Sequence, residues 1–200
     1  MRLILVTGSY GSGTTAVTGA LVSMGIPSIP PFFESNDPRT VNTYESLAFK
    51  ELVNLLADQS TLRVDDSKGP EFQDGLKTLL ENADTGADES VVLKAPLASV
   101  CLQHISRAVE TTVIMVHRPL EEVEATRKRR NWHAVYGAAG AQVIYSRLLS
   151  DLIGLNQSFL AVSYPALLEK PRVELKRIAD FCQLTQGGKN LQKGIDFIRN

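Results

Sequence analysis

The stretch LILVTGSYGSGTTAVTGAL, from Leu3 to Leu21, decides the fold class of this chain. Its first residues form a leucine-rich and β-branched run without polar alternation, which is typical of a strand buried on both faces. A glycine-rich turn then runs from Gly8 to Gly13, and apolar residues recur at helical spacing from Thr14 until Gly25, a natural helix end. The stretch therefore predicts a buried strand, a tight turn and a helix in direct succession.

The turn has the spacing of a phosphate-binding loop, Gly-x-x-x-x-Gly-Thr-Thr, from Gly8 to Thr15. Glycines allow successive backbone N–H groups to point inward at an anion, and the start of the following helix adds its positive dipole end. The hydroxyls of Ser12, Thr14 and Thr15 are further donors. The alternative is an ordinary strand-to-helix turn in which Thr14 only caps the helix. The position after a buried strand favours anion binding.

The loop lacks the lysine of a nucleotide-hydrolysing P-loop, because Thr14 stands where that lysine belongs. The lysine normally holds the β- and γ-phosphates, and an acid near a strand end holds magnesium. Here the neighbouring strand patterns end in Lys94 and in His117–Arg118, while Asp65–Asp66 follow only a weak strand. A cationic rim of this kind predicts an anion held by side chains without a metal.

Strands and helices alternate along the rest of the chain. Buried-strand patterns recur at 91–96, 111–117 and 158–164, and helical patterns cover 40–58, 71–83, 97–108, 120–130, 139–155 and 172–184. This alternation predicts an α/β fold, a three-layer sandwich with a mainly parallel sheet of the P-loop NTPase-like kind, as a single domain over residues 1–200. Because ligands bind beyond the carboxyl ends of parallel strands, we expect the loop, Lys94, His117–Arg118 and Tyr164 on one rim.

The composition, 44% hydrophobic and 22% charged over 200 residues with net charge −1, suits a globular protein with a buried core. It gives no general reason to expect a nucleic-acid partner. No apolar run is long enough to span a membrane, and no signal peptide precedes the first strand. We expect Cys101 and Cys182 to be buried free thiols, which favours a cytoplasmic location, and the three histidines lack metal-ligand spacing.

A basic cluster with a tryptophan, RKRRNWH, runs from Arg127 to His133. Such a cluster suits an anionic acceptor or a nucleic-acid backbone, and it also suits a solvated helix end, where cations are favoured. We expect most of the cluster to be solvated, with Arg127 or Arg130 facing the cofactor or acceptor.

Several segments resemble the sulfotransferase family, in the order in which that family carries them. TGSYGSGTT followed by a helix is similar to its 5′-phosphosulfate loop, and VIMVHRPLEEVEAT is similar to its 3′-phosphate motif, in which Arg118 is followed eight positions later by Thr126. LKAP resembles its middle strand, FLAVSYPALLEKPRVELKRIADFCQL its late strand and helix, and LQKGIDFIRN the C-terminal tail of small bacterial members.

The resemblance implies a sulfotransferase-type fold and transfer of a sulfuryl group from 3′-phosphoadenosine 5′-phosphosulfate (PAPS) to a hydroxyl or amine, with no metal required. By that resemblance, Arg118 and Thr126 hold the 3′-phosphate, since arginine offers a planar fork and threonine one hydroxyl. The alternative is that Arg118 pairs with Glu121 or Glu122 at the helix start. The resemblance assigns the 5′-phosphosulfate to Ser9, Tyr10, Gly11, Ser12, Gly13, Thr14 and Thr15.

One departure from the family concerns charge. The family usually carries lysine or arginine directly before Ser-Gly-Thr, where this chain has Gly11. That cation stabilises charge on the leaving oxygen. We predict Lys94 as the catalytic replacement, with Lys68 as a second candidate. If neither ammonium reaches the loop, the protein binds the nucleotide and transfers slowly or not at all.

The general base is predicted to be Glu34, because family members use a histidine or a glutamate and Glu34 lies where glutamate-using branches place theirs. A carboxylate beside phenylalanines would suit proton abstraction, although the pattern suits a solvated loop acid at least as well. Glu45 resembles an acid of small bacterial members, or is a simple first-turn acid. We expect His104 to be structural and His117 to shape the pocket.

Two other functions remain open from the sequence. A small-molecule or nucleotide kinase with a degenerate loop requires magnesium-dependent ATP binding. A non-catalytic nucleotide-binding or assembly protein keeps the fold without turnover, which the glycine at position 11 favours. We expect the acceptor to be a small molecule or glycan, with residues about 30–75 forming part of its wall. The sequence indicates neither the acceptor's identity nor an oligomeric state.

Overall fold

A computed structural model of the chain describes residues 1–37, 40, 42–83, 89–184 and 187–199. The strands are β1 (Arg2–Gly8), β2 (Phe32–Glu34), β3 (Asn42–Ser46), β4 (Ala57–Asp58), β5 (Arg63–Val64), β6 (Ser90–Lys94), β7 (Thr111–His117) and β8 (Phe159–Ser163). The helices are α1 (Thr14–Ser23), α2 (Leu47–Leu56), α3 (Gly69–Glu81), α4 (Leu102–Ala108), α5 (Leu120–Arg129), α6 (Ala138–Gly154), α7 (Tyr164–Glu169), α8 (Pro171–Phe181) and α9 (Gly187–Arg199).

The central sheet is parallel and has the strand order β6-β1-β7-β8. Strand β1 is in the interior, and its residues Leu3 to Val6 are fully buried. Because both faces of this strand are covered, it needs an unbroken apolar run rather than alternation. The sequence prediction of a buried, mainly parallel sheet is confirmed.

Helices cover both faces of the sheet, which makes the fold a three-layer α/β sandwich. Leu3 and Leu5 face a core cluster built with α2, α3, α4 and α6. Ile4 and Val6 face a second cluster built with α1, α7, α8 and α9. Burying one such side chain contributes roughly 1.5–3 kcal/mol, so the two clusters hold the layers together.

The predicted helix over 40–58 is wrong in its first part. Asn42–Ser46 forms strand β3, antiparallel to β2, and only Leu47–Leu56 is helical, while residue 41 lies outside the described residues. The hydroxyl of Thr43 donates to the carbonyl of Phe33, and the side chain of Ser46 accepts from the Phe49 amide as the cap of α2. Pairing with the preceding strand β2 therefore overrides the local helical pattern.

Two further elements differ from the sequence prediction. The stretch 97–108 is a 3₁₀ turn at Leu97–Val100 followed by α4, and Cys101 leaves helical geometry between them. The sequence pattern predicts the last helix over 172–184, yet Gly187–Arg199 forms a further helix, α9. It packs on α1 and α8, where Ile195 is buried. Residues 191–200 are the stretch that resembles the C-terminal tail of small bacterial sulfotransferases, and residue 200 lies outside the described residues.

The two cysteines are free and buried, as predicted. Burial raises the pKa of the Cys101 thiol to about 12 and that of the Cys182 thiol to about 12. No helix in the described ranges is both long and apolar enough to cross a membrane. The described residues also contain no group of three or more potential metal ligands.

Candidate phosphate-binding site

The loop between β1 and α1 depends on glycine at two positions. Gly13 has φ 100°, a left-handed conformation that favours glycine, and a Cβ there would overlap the ring of Tyr164. Gly11 has φ 75°, and a Cβ there would lie 3.3 Å from Cγ2 of Thr126. The loop geometry therefore favours glycine at position 11, where the sequence resemblance leads to the expectation of a cation.

The interior of the loop offers donors without protein acceptors. Ser12 is fully buried, and its hydroxyl oxygen has no hydrogen-bond partner in the part of the chain that the structure describes. Helix α1 begins at Thr14 without a side-chain cap. The amides of Ala16 and Val17 donate to the Gly13 carbonyl, whereas those of Thr14 and Thr15 have no acceptor among the described residues. These two amides and the Ser12 hydroxyl can therefore donate to a ligand. A buried unpartnered hydroxyl beside an uncapped helix start fits an anion.

The entry to the loop is fixed from the β6 side by Ser99. Its hydroxyl accepts from the Gly8 amide at 3.1 Å and lies 3.2 Å from the Gly8 carbonyl oxygen. The hydroxyl of Thr7 contacts Ser99 at 2.6 Å and donates to the Ala95 carbonyl at 3.0 Å. All of these groups are buried, so the start of the loop is held by a satisfied polar network.

Tyr145 of α6 fixes the loop from the opposite side. Its hydroxyl donates to the carbonyl of Val116 at 3.1 Å, and it lies 3.0 Å from the hydroxyl of Ser9. Tyr145 carries no distinguishing signal in the sequence, since its spacing within a predicted helix is that of an ordinary amphipathic residue.

Arg118 follows β7 and reaches two partners on α5. Its Nε lies 2.6 Å from the Glu122 carboxylate, and its Nη1 donates to the Thr126 hydroxyl at 3.3 Å. Both the ion pair considered in the sequence analysis and the predicted Arg118–Thr126 proximity are therefore present. The guanidinium carbon also lies 5.0 Å from the ring centroid of Tyr164, which covers the loop.

A cavity of about 680 Å³ opens beside Arg118, between α6 and the ends of β7 and β8. It is lined by His117, Arg118, Tyr145 and Ser163, together with residues of α6. This volume is within the usual range for small-molecule sites. His117 shares this lining with Arg118, and its role in shaping a ligand pocket stays a prediction.

Lys94 ends β6 beside Val6, two residues before the loop. Its ammonium nitrogen lies 3.3 Å from the carboxylate of Glu45 on β3, and the two side chains are only 5% and 14% exposed. Lys94 is thus buried at the predicted rim with its charge matched by a carboxylate.

Tyr10 projects from the loop toward an aromatic group. Its ring centroid lies 4.4 Å from that of Tyr136, which also contacts Trp132. Burial, and then the negative charge of Glu45, raise the pKa of the Tyr10 hydroxyl far above its ordinary value. Tyr10 therefore stays neutral at physiological pH and forms an uncharged wall next to the loop.

Other predicted residues lie apart from the loop. Glu34 is exposed on β2, and Lys68 pairs at the surface with Glu71 at 3.5 Å. His104 is buried, and its Nε2 lies 2.8 Å from Asp66, which agrees with a structural role. The role of Glu34 as a base stays a prediction.

The basic cluster is divided: Lys128, Arg129 and His133 are exposed, whereas Arg127 and Arg130 are engaged by the protein itself. Arg127 pairs with Glu124 at 2.6 Å and also donates to the Trp132 carbonyl. Arg130 pairs with Asp37 at 2.6 Å and stacks 4.7 Å from the ring centroid of Trp132. These arginines tie α5 to neighbouring segments.

Comparison with solved structures identifies the fold. The sulfotransferase domain from the Synechococcus PCC 7002 olefin synthase aligns with a TM-score of 0.58 and 18% identity, over 92% of this chain and 73% of that one. The sulfotransferase STF9 from Mycobacterium avium aligns with a TM-score of 0.56 and 15% identity, over 99% of this chain and 67% of that one. No protein-family model matches the sequence, and a search of curated proteins found no match. The chain therefore has the fold of a sulfotransferase, at identities that establish the fold alone.

Proposed function

We propose that this protein is a sulfotransferase that transfers a sulfuryl group from PAPS to a hydroxyl or amine of a small-molecule or glycan acceptor. The observation that carries the proposal is the shared rim. The loop after β1 and the Arg118–Thr126 pair after β7 follow adjacent parallel strands in a chain with this fold. Two anion sites on neighbouring strand ends suit a nucleotide that carries phosphate on both its 5′ and 3′ oxygens.

The residues present fit such a donor. The loop supplies backbone amides, the buried Ser12 hydroxyl and the uncapped start of α1 for the 5′ end, with Thr14 and Thr15 adding hydroxyls. Arg118 and Thr126 supply a charged fork and a hydroxyl for the 3′-phosphate. When bound, the donor supplies the activated sulfuryl group, and these residues bind and orient it.

Lys94 is proposed to supply the positive charge that the loop lacks at position 11. Its burial strengthens its electrostatic effect, because few water molecules screen it. Glu45 orients the ammonium through the 3.3 Å ion pair. Glu45 and Glu34 are the two candidates for the base that takes the acceptor's proton. Glu45 lies at the rim, and Glu34 is exposed on the neighbouring β2. The variants Glu34→Gln and Glu45→Gln distinguish the two acids. The base is the residue whose replacement lowers kcat while folded protein is still expressed.

The proposal is tested by calorimetric titration with 3′-phosphoadenosine 5′-phosphate (PAP) without metal, beside ATP with magnesium. We expect tight binding of PAP and no comparable binding of ATP. A preference for ATP with magnesium would support the kinase alternative. Binding of neither would place the function on another surface.

Arg118→Ala tests the 3′-phosphate assignment. We expect this variant to lose most of its affinity for PAP, roughly 10- to 100-fold for a charge-assisted pair, and little affinity for adenosine 5′-phosphosulfate. Equal weakening of both ligands would contradict the assignment.

A variant of Glu122 gives a more specific test, because Nε of Arg118 donates a hydrogen bond to the Glu122 carboxylate. Glu122→Gln is expected to raise PAP affinity by releasing the guanidinium from an internal competitor. Glu121→Gln removes the same formal charge one residue away and is the matched control. Equal gains in both variants would indicate only a general charge effect.

Binding without turnover is the second candidate function. It is favoured by the loop geometry at Gly11, which disfavours a cationic side chain, and by the neutralisation of Lys94 by Glu45. A single-turnover assay with PAPS and a panel of phenols, alcohols, amines and glycans separates it from the first candidate, once PAP binding has been measured. A cytoplasmic location remains a prediction, in keeping with the two free thiols.

A further inference from the structure

The hydroxyl of Tyr145 lies where α6, the end of β7 and the phosphate loop meet. It is 3.1 Å from the carbonyl oxygen of Val116 and 3.0 Å from the hydroxyl oxygen of Ser9. A carbonyl oxygen only accepts, so the single proton of the tyrosine hydroxyl points at Val116. The contact with Ser9 must then use the proton of the serine.

This assignment determines whether the Ser9 hydroxyl can still donate a hydrogen bond to a ligand. Its only hydroxyl proton is donated to Tyr145, and its side chain is buried at 1% exposure. Ser12 lies in the same loop and is equally buried, but its hydroxyl has no hydrogen-bond partner within the described residues. The two serines of the loop therefore differ in hydrogen bonding: the Ser9 hydroxyl is engaged by Tyr145, and the Ser12 hydroxyl has no partner among the described residues.

We propose that Tyr145 is a positioning residue for the phosphate loop: it holds Ser9 against the end of β7, and Ser9 stabilises the loop instead of donating its hydroxyl to the bound anion. The inference rests on the proposed function for its affinity readout only. Tyr145 also lines the 680 Å³ cavity beside Arg118, so the same side chain borders both predicted anion sites. Ser99 holds the other side of the loop entry, but its full burial makes Tyr145 the better residue to vary.

The test is a double-mutant cycle with Tyr145→Phe, Ser9→Ala and the combined variant. Tyr145→Phe removes one oxygen and keeps the ring in place. We expect each single variant to weaken PAP binding by roughly 3- to 10-fold, the usual effect of one neutral hydrogen bond, and the combined variant to be no weaker than the worse single variant. Tyr44→Phe is the matched control, since the Tyr44 ring packs on Phe32 and Phe197 away from the loop. It should leave PAP affinity within about twofold of the wild type, inside the scatter of distant substitutions.

Hydrogen exchange of the loop amides from Gly8 to Thr14, measured without ligand, gives a second readout that does not depend on the proposed function. Faster exchange in Tyr145→Phe and Ser9→Ala, at unchanged exchange of β1, is the expected result. Multiplicative losses of affinity in the combined variant would overturn the inference, because Ser9 would then contact the anion independently. Loop exchange equal to that of the wild type would overturn it as well, even if the wild type fails to bind PAP and the proposed function falls.

Discussion

The buried pair of Lys94 and Glu45 gives the most quantitative prediction. Its charged atoms are 3.3 Å apart, and its side chains are 5% and 14% exposed, so little water is present to solvate either charge alone. Removing one member of such a pair leaves the other charge buried without a partner and lowers the unfolding free energy by about 3–5 kcal/mol. We expect Glu45→Gln to lose about 3 kcal/mol, the lower end, because the glutamine oxygen still accepts one hydrogen bond from the ammonium.

Replacing both members should restore most of that stability. Lys94→Met combined with Glu45→Leu removes both desolvated charges and keeps similar volumes, so we expect an unfolding free energy within about 1 kcal/mol of the wild type. The assay is urea unfolding, with the slope against urea checked for constancy. Glu71→Gln is the control, since it breaks the exposed Lys68–Glu71 pair, which is expected to contribute less than about 1 kcal/mol.

Two outcomes would refute this reasoning. One is a loss below about 1 kcal/mol in Glu45→Gln, which would mean that the charge of Lys94 is compensated without Glu45. The other is a double variant as unstable as the single one, which would mean that packing rather than charge dominates. If the double variant is stable but shows no transfer where the wild type does, Lys94 or Glu45 serves the chemistry as well as the fold.

Three other predictions concern single sites. Gly13→Ala should destabilise the protein by roughly 1–3 kcal/mol and weaken PAP binding, because the added Cβ would overlap the Tyr164 ring at a left-handed backbone position; Gly154→Ala, which meets nothing within 4 Å, should be neutral or slightly stabilising in the same urea and calorimetric assays. A thiol reagent at pH 8 should label neither cysteine of the native protein and both after unfolding, because burial raises the pKa of Cys101 and of Cys182 to about 12; labelling of the native protein at the rate of a free thiol would contradict the burial. Hydrogen bonds from Ser60 and Thr61 lower the pKa of Asp58 to about 2, so its contribution to stability is complete above pH 3.8 and is lost as the pH falls toward 2; the stability difference between the wild type and Asp58→Ala should shrink over that interval and stay constant above it.

Local patterns predicted much of the fold because they depend on neighbours along the chain. The unbroken apolar run of β1, the glycines of the loop and the helical spacing after Thr14 determine a strand, a turn and a helix before any long-range contact forms. The alternation of strands and helices then leaves a parallel sheet as the arrangement that buries both strand faces. The convergence of the loop, Lys94 and Arg118 on one rim follows from the shared direction of those strands.

Contacts between separate segments decided the rest. Asn42–Ser46 is a strand only because β2 supplies its partner, and α9 is ordered by the face that α1 and α8 present to it. Lys94 pairs with Glu45, which lies 49 positions earlier in the chain. Ser9 donates its proton to Tyr145, which lies 136 positions later. No local pattern encodes such pairs, because the distance between their side chains is set by the packing of whole layers. The sequence therefore indicated which residues carry charge and hydroxyl groups at the rim, and the tertiary structure decided which of them remain free to meet a ligand.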